Sequence, residues 1–156
     1  MANDMDTTEQ TRADEVRAFI ARTPLAQEMG LRCEVMGDEM TMIMPYQEKL
    51  IGNVAIRALH GGAIGAFLEI TVMAQVFLQT DIETLPKPID LTIDYLRSGR
   101  EADTFARAII RKQGSRMTSV HAEAWQSDIS KPVAALRAQF LMSPAGEAQP
   151  AEKSES

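Results

Sequence analysis

GGAIGAFLEITVMAQVFL, residues 61–78, is apolar on nearly every side when wound as an α-helix. Such a helix belongs in a protein interior or in a bilayer. Glu69, Gln75 and the early glycines speak against a bilayer span, so the stretch is expected to be a central buried helix. The fold depends on what wraps it.

Downstream, after Pro86-Lys87-Pro88, four strand-like runs follow. Ile89, Leu91, Ile93 and Tyr95 alternate with Asp90, Thr92 and Asp94, the pattern of a half-buried strand. Runs over 103–112, 117–126 and 132–142 come next, separated by Ser98-Gly99, Gly114-Ser115 and a polar stretch before Pro132. Upstream, Val16, Phe19 and Ile20 share one face of a short helix over 12–22, which stops before Pro24. Two strands are expected at 31–36 and 39–44, joined by a tight turn at Gly37-Asp38, although Asp-Gly is the commoner order. Residues 1–11 are polar and expected to be mobile, and the Pro-, Ala-, Glu- and Ser-rich stretch 143–156 reads as a disordered tail. A single domain over 12–142 is left between them. Consecutive strands with short connections favour an antiparallel meander. The expected architecture is α+β: about six antiparallel strands wrapped round one long helix, with a short N-terminal helix.

The chain has 156 residues, 45% of them hydrophobic and 24% charged, enough to bury one core without disulfides. Its net charge of −6 repels phosphate backbones, so no nucleic-acid partner is expected. One cysteine, Cys33, and two histidines, His60 and His121, point to no metal centre. MANDMDTTEQ lacks a basic region followed by an apolar core, so it is no secretory signal, and a cytoplasmic, membrane-free setting is expected.

Glu69 is the only charged residue in the buried helix. A carboxylate removed from water must find partners or take up a proton. Two readings stand open: a structural ion pair with an arginine, or a functional acid. His60-Gly61-Gly62 stands at the helix start, where free N–H groups and the helix dipole stabilise negative charge. Its glycines permit close approach, either of a ligand or simply of neighbouring backbone. From His60 to Glu69 a helix advances about 13–14 Å and turns about 900°, leaving the side chains on opposite sides. One chain cannot easily bring both to one centre, whereas two helices side by side can. The expectation is a homodimer in which His60 and the Gly61 N–H come from one chain and Glu69 from its partner.

Asn53, the run LHGGAIGAFLE, the buried helix and the four strands after it resemble the hotdog thioesterase superfamily, most closely its phenylacetate-pathway (PaaI-type) branch. The resemblance covers residues 24–142. It implies hydrolysis of an acyl-coenzyme A thioester without a cofactor. It makes Glu69 the nucleophile or general base, and the Gly61 N–H the group polarising the carbonyl. His60 would orient the thioester, and Asn53 would position the carboxylate or the lytic water. Asn53 lies seven residues before His60, where six is the common family spacing. Pro88 stands where some relatives carry a hydroxyl that positions water. These departures sustain the alternative of a non-catalytic acyl-CoA-binding protein. Dehydratase chemistry fits less well, because that branch resembles an Asp-x₄-His pattern.

Gly62, Arg97 and Ser98 are candidate substrate-binding residues. Gly62 would allow close approach, and Arg97 could pair with coenzyme A phosphates beside Ser98. Like Arg97, the residues Arg100, Arg111, Lys112 and Arg116 lie near strand ends and could pair with those phosphates, although solvated surface charge is the simpler account for each of the five. His121 is expected on the outer sheet face, Trp125 there or at a dimer–dimer contact within a tetramer. Thr71 is expected to pack, and Met40, Met42 and Met44 to line the core or a pocket.

Overall fold

The structure, a computed structural model, describes residues 2–80 and 86–142; the stretch expected to be a disordered tail lies outside them. Elements run in the order α1 (Ala2–Arg22), α2 (Pro24–Glu28), β1 (Arg32–Met36), β2 (Glu39–Met44), a 3₁₀ turn (Glu48–Leu50), β3 (Ile51–Asn53), β4 (Ala58–Leu59), α3 (Gly61–Gln79), β5 (Lys87–Tyr95), β6 (Thr104–Gln113), β7 (Met117–Trp125) and β8 (Ala134–Leu141). This is the expected α+β hotdog: six antiparallel strands, a long central helix and an N-terminal helix.

The sheet order is β1-β2-β6-β7-β8-β5, and α3 packs on β2, β6, β7 and β8. Ala106, Ala122, Ala124, Ala134 and Ala138 face the helix from the sheet and are all buried. Their small side chains let Phe67, Leu68, Val72 and Val76 of α3 fill the space between helix and strands. Each large apolar side chain so buried contributes about 1.5–3 kcal/mol. Met40, Met42 and Met44 belong to this core, and Thr71 is buried with its hydroxyl donated to the Phe67 carbonyl. By length and composition α3 could cross a membrane, but most of its apolar surface is buried inside the domain.

Three expectations need correction. The strands after α3 do not form one meander. Only β6, β7 and β8 are consecutive neighbours; β5 pairs with β8 at the far edge. Helix α3 carries the chain across the sheet to that edge, and residues 96–103 bring it back beside β2. That return spans three strand spacings, about 14 Å, well within the reach of eight residues. The N-terminal helix begins at Ala2 rather than at residue 12. Polar i,i+4 pairs support it there, Thr11 to the Thr7 carbonyl and Gln10 to Asp14, while Val16 and Ile20 anchor its second half. Elements α2, β3 and β4 have no counterpart in the sequence reading.

The Gly37-Asp38 turn is present, with Met36 opposite Glu39 and positive φ at Gly37 alone. Glycine at the first central position is the II′ arrangement, which accounts for Gly-Asp rather than Asp-Gly.

Candidate active site

The β3–β4 hairpin and the first turn of α3 build the site. Between Ile51 and Asn53 the pairing slips, leaving Gly52 as a bulge residue. The His60 N–H donates to the Leu50 carbonyl at 2.8 Å, and the Leu59 N–H donates to the Gly99 carbonyl at 3.0 Å. These bonds tie the residues preceding α3 to the hairpin and to the return segment 96–103.

His60 is the N-cap of α3, with extended backbone. Its imidazole turns back, so that Nδ1 accepts the Gly62 N–H at 2.8 Å. Nδ1 is therefore unprotonated, and a neutral His60 carries its proton on Nε2. The Gly62 N–H is thus occupied by its own cap. A Cβ at Gly62 would lie 3.0 Å from Nδ1, so the glycine makes room for the imidazole. The Gly61 N–H meets no acceptor among the described residues. It is an orphan donor at the positive end of the helix.

Gly61 lines a cavity of about 460 Å³ together with Asn53, Ile56, Ala58, Leu59, Ile64, Tyr95, Leu96, Arg97, Ser98 and Gly99. Four residues singled out from sequence, Asn53, Gly61, Arg97 and Ser98, thus share one wall system. Asn53 Oδ1 accepts the N–H of Ala55 at 3.1 Å and of Ile56 at 3.4 Å, closing the loop and leaving the Nδ2 donors. Arg97 donates one Nη to the Pro132 carbonyl and is otherwise exposed. His60 and Gly62 stand beside this cavity but do not line it.

Glu69 does not line it either. It lies eight residues beyond Gly61, about 12 Å along α3. It is half-buried, and no hydrogen bond or ion pair holds it among the described residues. Gly62, Ala66, Glu69 and Met73 form the incompletely covered stripe of the helix. Toward the C-terminal end that side is capped by α1, where Phe19 and Phe77 meet with ring centroids 5.1 Å apart.

Two features escape the sequence reading. Tyr95 lines the cavity and donates its hydroxyl to the Gly61 carbonyl at 2.8 Å. Arg57 is the only non-glycine residue with positive φ among those described. Its guanidinium bonds Glu48 at 2.6 Å and also Glu101, while the Tyr46 hydroxyl donates to Glu48 at 2.7 Å. The clamp joins the 3₁₀ turn, the β3–β4 loop and the return segment around the cavity. The Arg57 and Tyr46 hydrogen bonds hold the Glu48 carboxyl down at about 2, and Glu48 in turn pushes the Tyr46 phenol up to about 12.

His121 and Trp125 line a separate hollow of about 710 Å³, together with Arg107, Ile109 and Arg137. Both are half-exposed, and Trp125 lies under the Arg107 guanidinium.

The thioesterase superfamily profile matches residues 57–133. A Chromobacterium violaceum protein of known structure is 36% identical, covering 87% of this chain and 96% of its own length, with a TM-score of 0.71. The Escherichia coli PaaI protein from the phenylacetic acid degradation operon is 20% identical over 85% of this chain and 94% of its own, with a TM-score of 0.74. A thioesterase family protein from Silicibacter pomeroyi is 21% identical over 83% and 96%, also at 0.74. The last two are likenesses of fold. No protein of curated function matches the chain.

Proposed function

This chain belongs to the hotdog thioesterase superfamily, and from that premise we propose that it hydrolyses an acyl-coenzyme A thioester at a site shared by two copies. One observation carries the reading: an unpaired N–H at the N-terminus of α3 on Gly61, a residue that lines a cavity together with Asn53, Arg97 and Ser98. In this reading the thioester carbonyl accepts that N–H. The developing oxyanion then gains the donor and the helix dipole together.

Glu69 of the partner subunit supplies the base or the nucleophile. As a base it takes a proton from water while the water oxygen attacks the carbonyl carbon. The tetrahedral intermediate then collapses, the C–S bond breaks, and the thiolate of coenzyme A leaves and takes up a proton. The Asn53 Nδ2 donors orient the carboxylate or the water, and His60 presents its Nε2 proton to the thioester end. Arg97 and Ser98 face the coenzyme A portion.

The dimer has support in the sheet edge and the helix stripe. Strand β5 is one of the two edge strands, and Leu91 and Tyr95 on its helix-facing side are 36% and 55% exposed. An apolar edge of this kind is a template for another strand. Pairing two β5 strands sets two α3 helices side by side, each with Glu69 on an incompletely covered stripe. The reading places the protein in the cytoplasm, with α3 as a core helix.

The test is thiol release from a panel of aryl- and acyl-coenzyme A esters. The wild type turns over at least one member, and Glu69→Gln loses nearly all turnover while remaining a folded dimer. Full activity in Glu69→Gln overturns the assignment.

A further inference from the structure

We propose that Tyr95 is a positioning residue: its hydroxyl locks the Gly61–Gly62 peptide so that the Gly61 N–H points into the cavity. The inference rests on the thioesterase reading above and assigns a task to a residue outside the expected site.

The peptide between Gly61 and Gly62 is held at both ends. Its carbonyl oxygen accepts the Tyr95 hydroxyl at 2.8 Å, and its N–H donates to His60 Nδ1 at 2.8 Å. A glycine has no Cβ to restrict its dihedrals, so two consecutive glycines would leave the helix start loose without such anchors. Fixing the 61–62 peptide plane limits the rotation available at the Gly61 Cα. The free N–H belongs to the preceding His60–Gly61 peptide, which is joined to the fixed plane through that Cα. The donor is thus aimed in advance, and alignment at the moment of reaction costs little.

The glycine spacing explains why a tyrosine can reach this position. A Cβ on Gly61 would lie 3.3 Å from two carbons of the Tyr95 ring. A Cβ on Gly65, one turn later on the same face, would lie 3.4 Å from the Tyr95 hydroxyl and 3.0 Å from Ile93 Cδ1. Gly61 and Gly65 therefore form the seat on which the end of β5 rests. Tyr95 also forms part of the cavity wall, so it connects the sheet edge to the carbonyl-polarising donor.

Tyr95→Phe keeps the ring in that seat and removes only the hydroxyl. The expected result is a kcat about tenfold lower with KM within about twofold, the pattern of an interaction felt in the transition state. The thermal midpoint and the dimer stay as in the wild type, and amide hydrogen exchange at Gly62 becomes faster. An unchanged kcat in an otherwise active enzyme overturns the role of Tyr95 and leaves the thioesterase reading intact. A rise in KM alone makes the residue a binding wall and also overturns the proposal. A fall in thermal midpoint large enough to account for the lost turnover makes the hydroxyl merely structural and likewise overturns it. A wild type inactive on the whole panel overturns the thioesterase reading and this inference with it.

Discussion

Gly52 lies against the backbone of His60: a Cβ built on it would stand 2.6 Å from the His60 Cα and 2.7 Å from its Cβ. Backbone atoms cannot swing aside as a side-chain tip can. Gly52→Ala therefore has to displace the N-cap of α3, and with it the Gly61 donor. The variant is expected to lose about 1–3 kcal/mol of stability, as overpacked sites do, and most of its turnover. Urea unfolding and thiol-release kinetics check the two effects.

The Arg57 clamp predicts a pH signature. Glu48 is lowered from 4.5 to about 2, chiefly by its hydrogen bonds with Arg57 and Tyr46. A lowered carboxyl stabilises the fold fully above its unfolded value, and that contribution vanishes as pH falls through the folded value. Arg57→Gln should thus be less stable than the wild type above pH 4.5, with the gap closing as pH falls toward about 2. Denaturant midpoints of both proteins across this window read the effect. A gap independent of pH would contradict it.

The exposed edge of β5 predicts a dissociable dimer. Leu91 lies on the same strand face as Ile93, whose tip meets Gly65 of α3. A charge there still reaches water in a monomer, where Leu91 is 36% exposed, but is stranded in a dry interface. Leu91→Asp is expected to sediment as a folded monomer without thioesterase activity. A stable dimer in that variant would place the subunit contact elsewhere.

The parts of this fold with strong periodicity are readable from residues alone. The all-round apolar helix, the alternation in β5 and the paired strands β1 and β2 each follow from local pattern. The edge position of β5 is not readable, because its alternation is equally compatible with pairing to β6 or to β8. That choice is made by where α3 deposits the chain. Strands β3 and β4 have three and two residues, too few to show a period, and the five residues of α2 are no better marked. The Arg57 clamp joins partners up to 55 residues apart in sequence, which no local pattern reveals. Around the cavity, Asn53, Gly61, Arg97 and Ser98 stand out by residue type. Tyr95 does not, since a tyrosine at the end of an alternating strand looks like any other core-facing residue. The spacing of Gly61 and Gly65 is its only trace.

Subunit complementation tests most directly whether the donor and the acid come from different chains. Gly61→Pro removes the N–H at a helix position where proline is at home, after a residue whose extended backbone suits it, and its Cβ, 3.3 Å from the Tyr95 ring, needs that side chain to give only slightly. Glu69→Gln removes the acid. Each variant alone is expected to be inactive. An equal mixture, after subunit exchange, should recover about a quarter of wild-type activity, because half the dimers are mixed and each mixed dimer has one intact site of two. No recovery from a mixture shown to contain mixed dimers would mean that both groups act within a single chain.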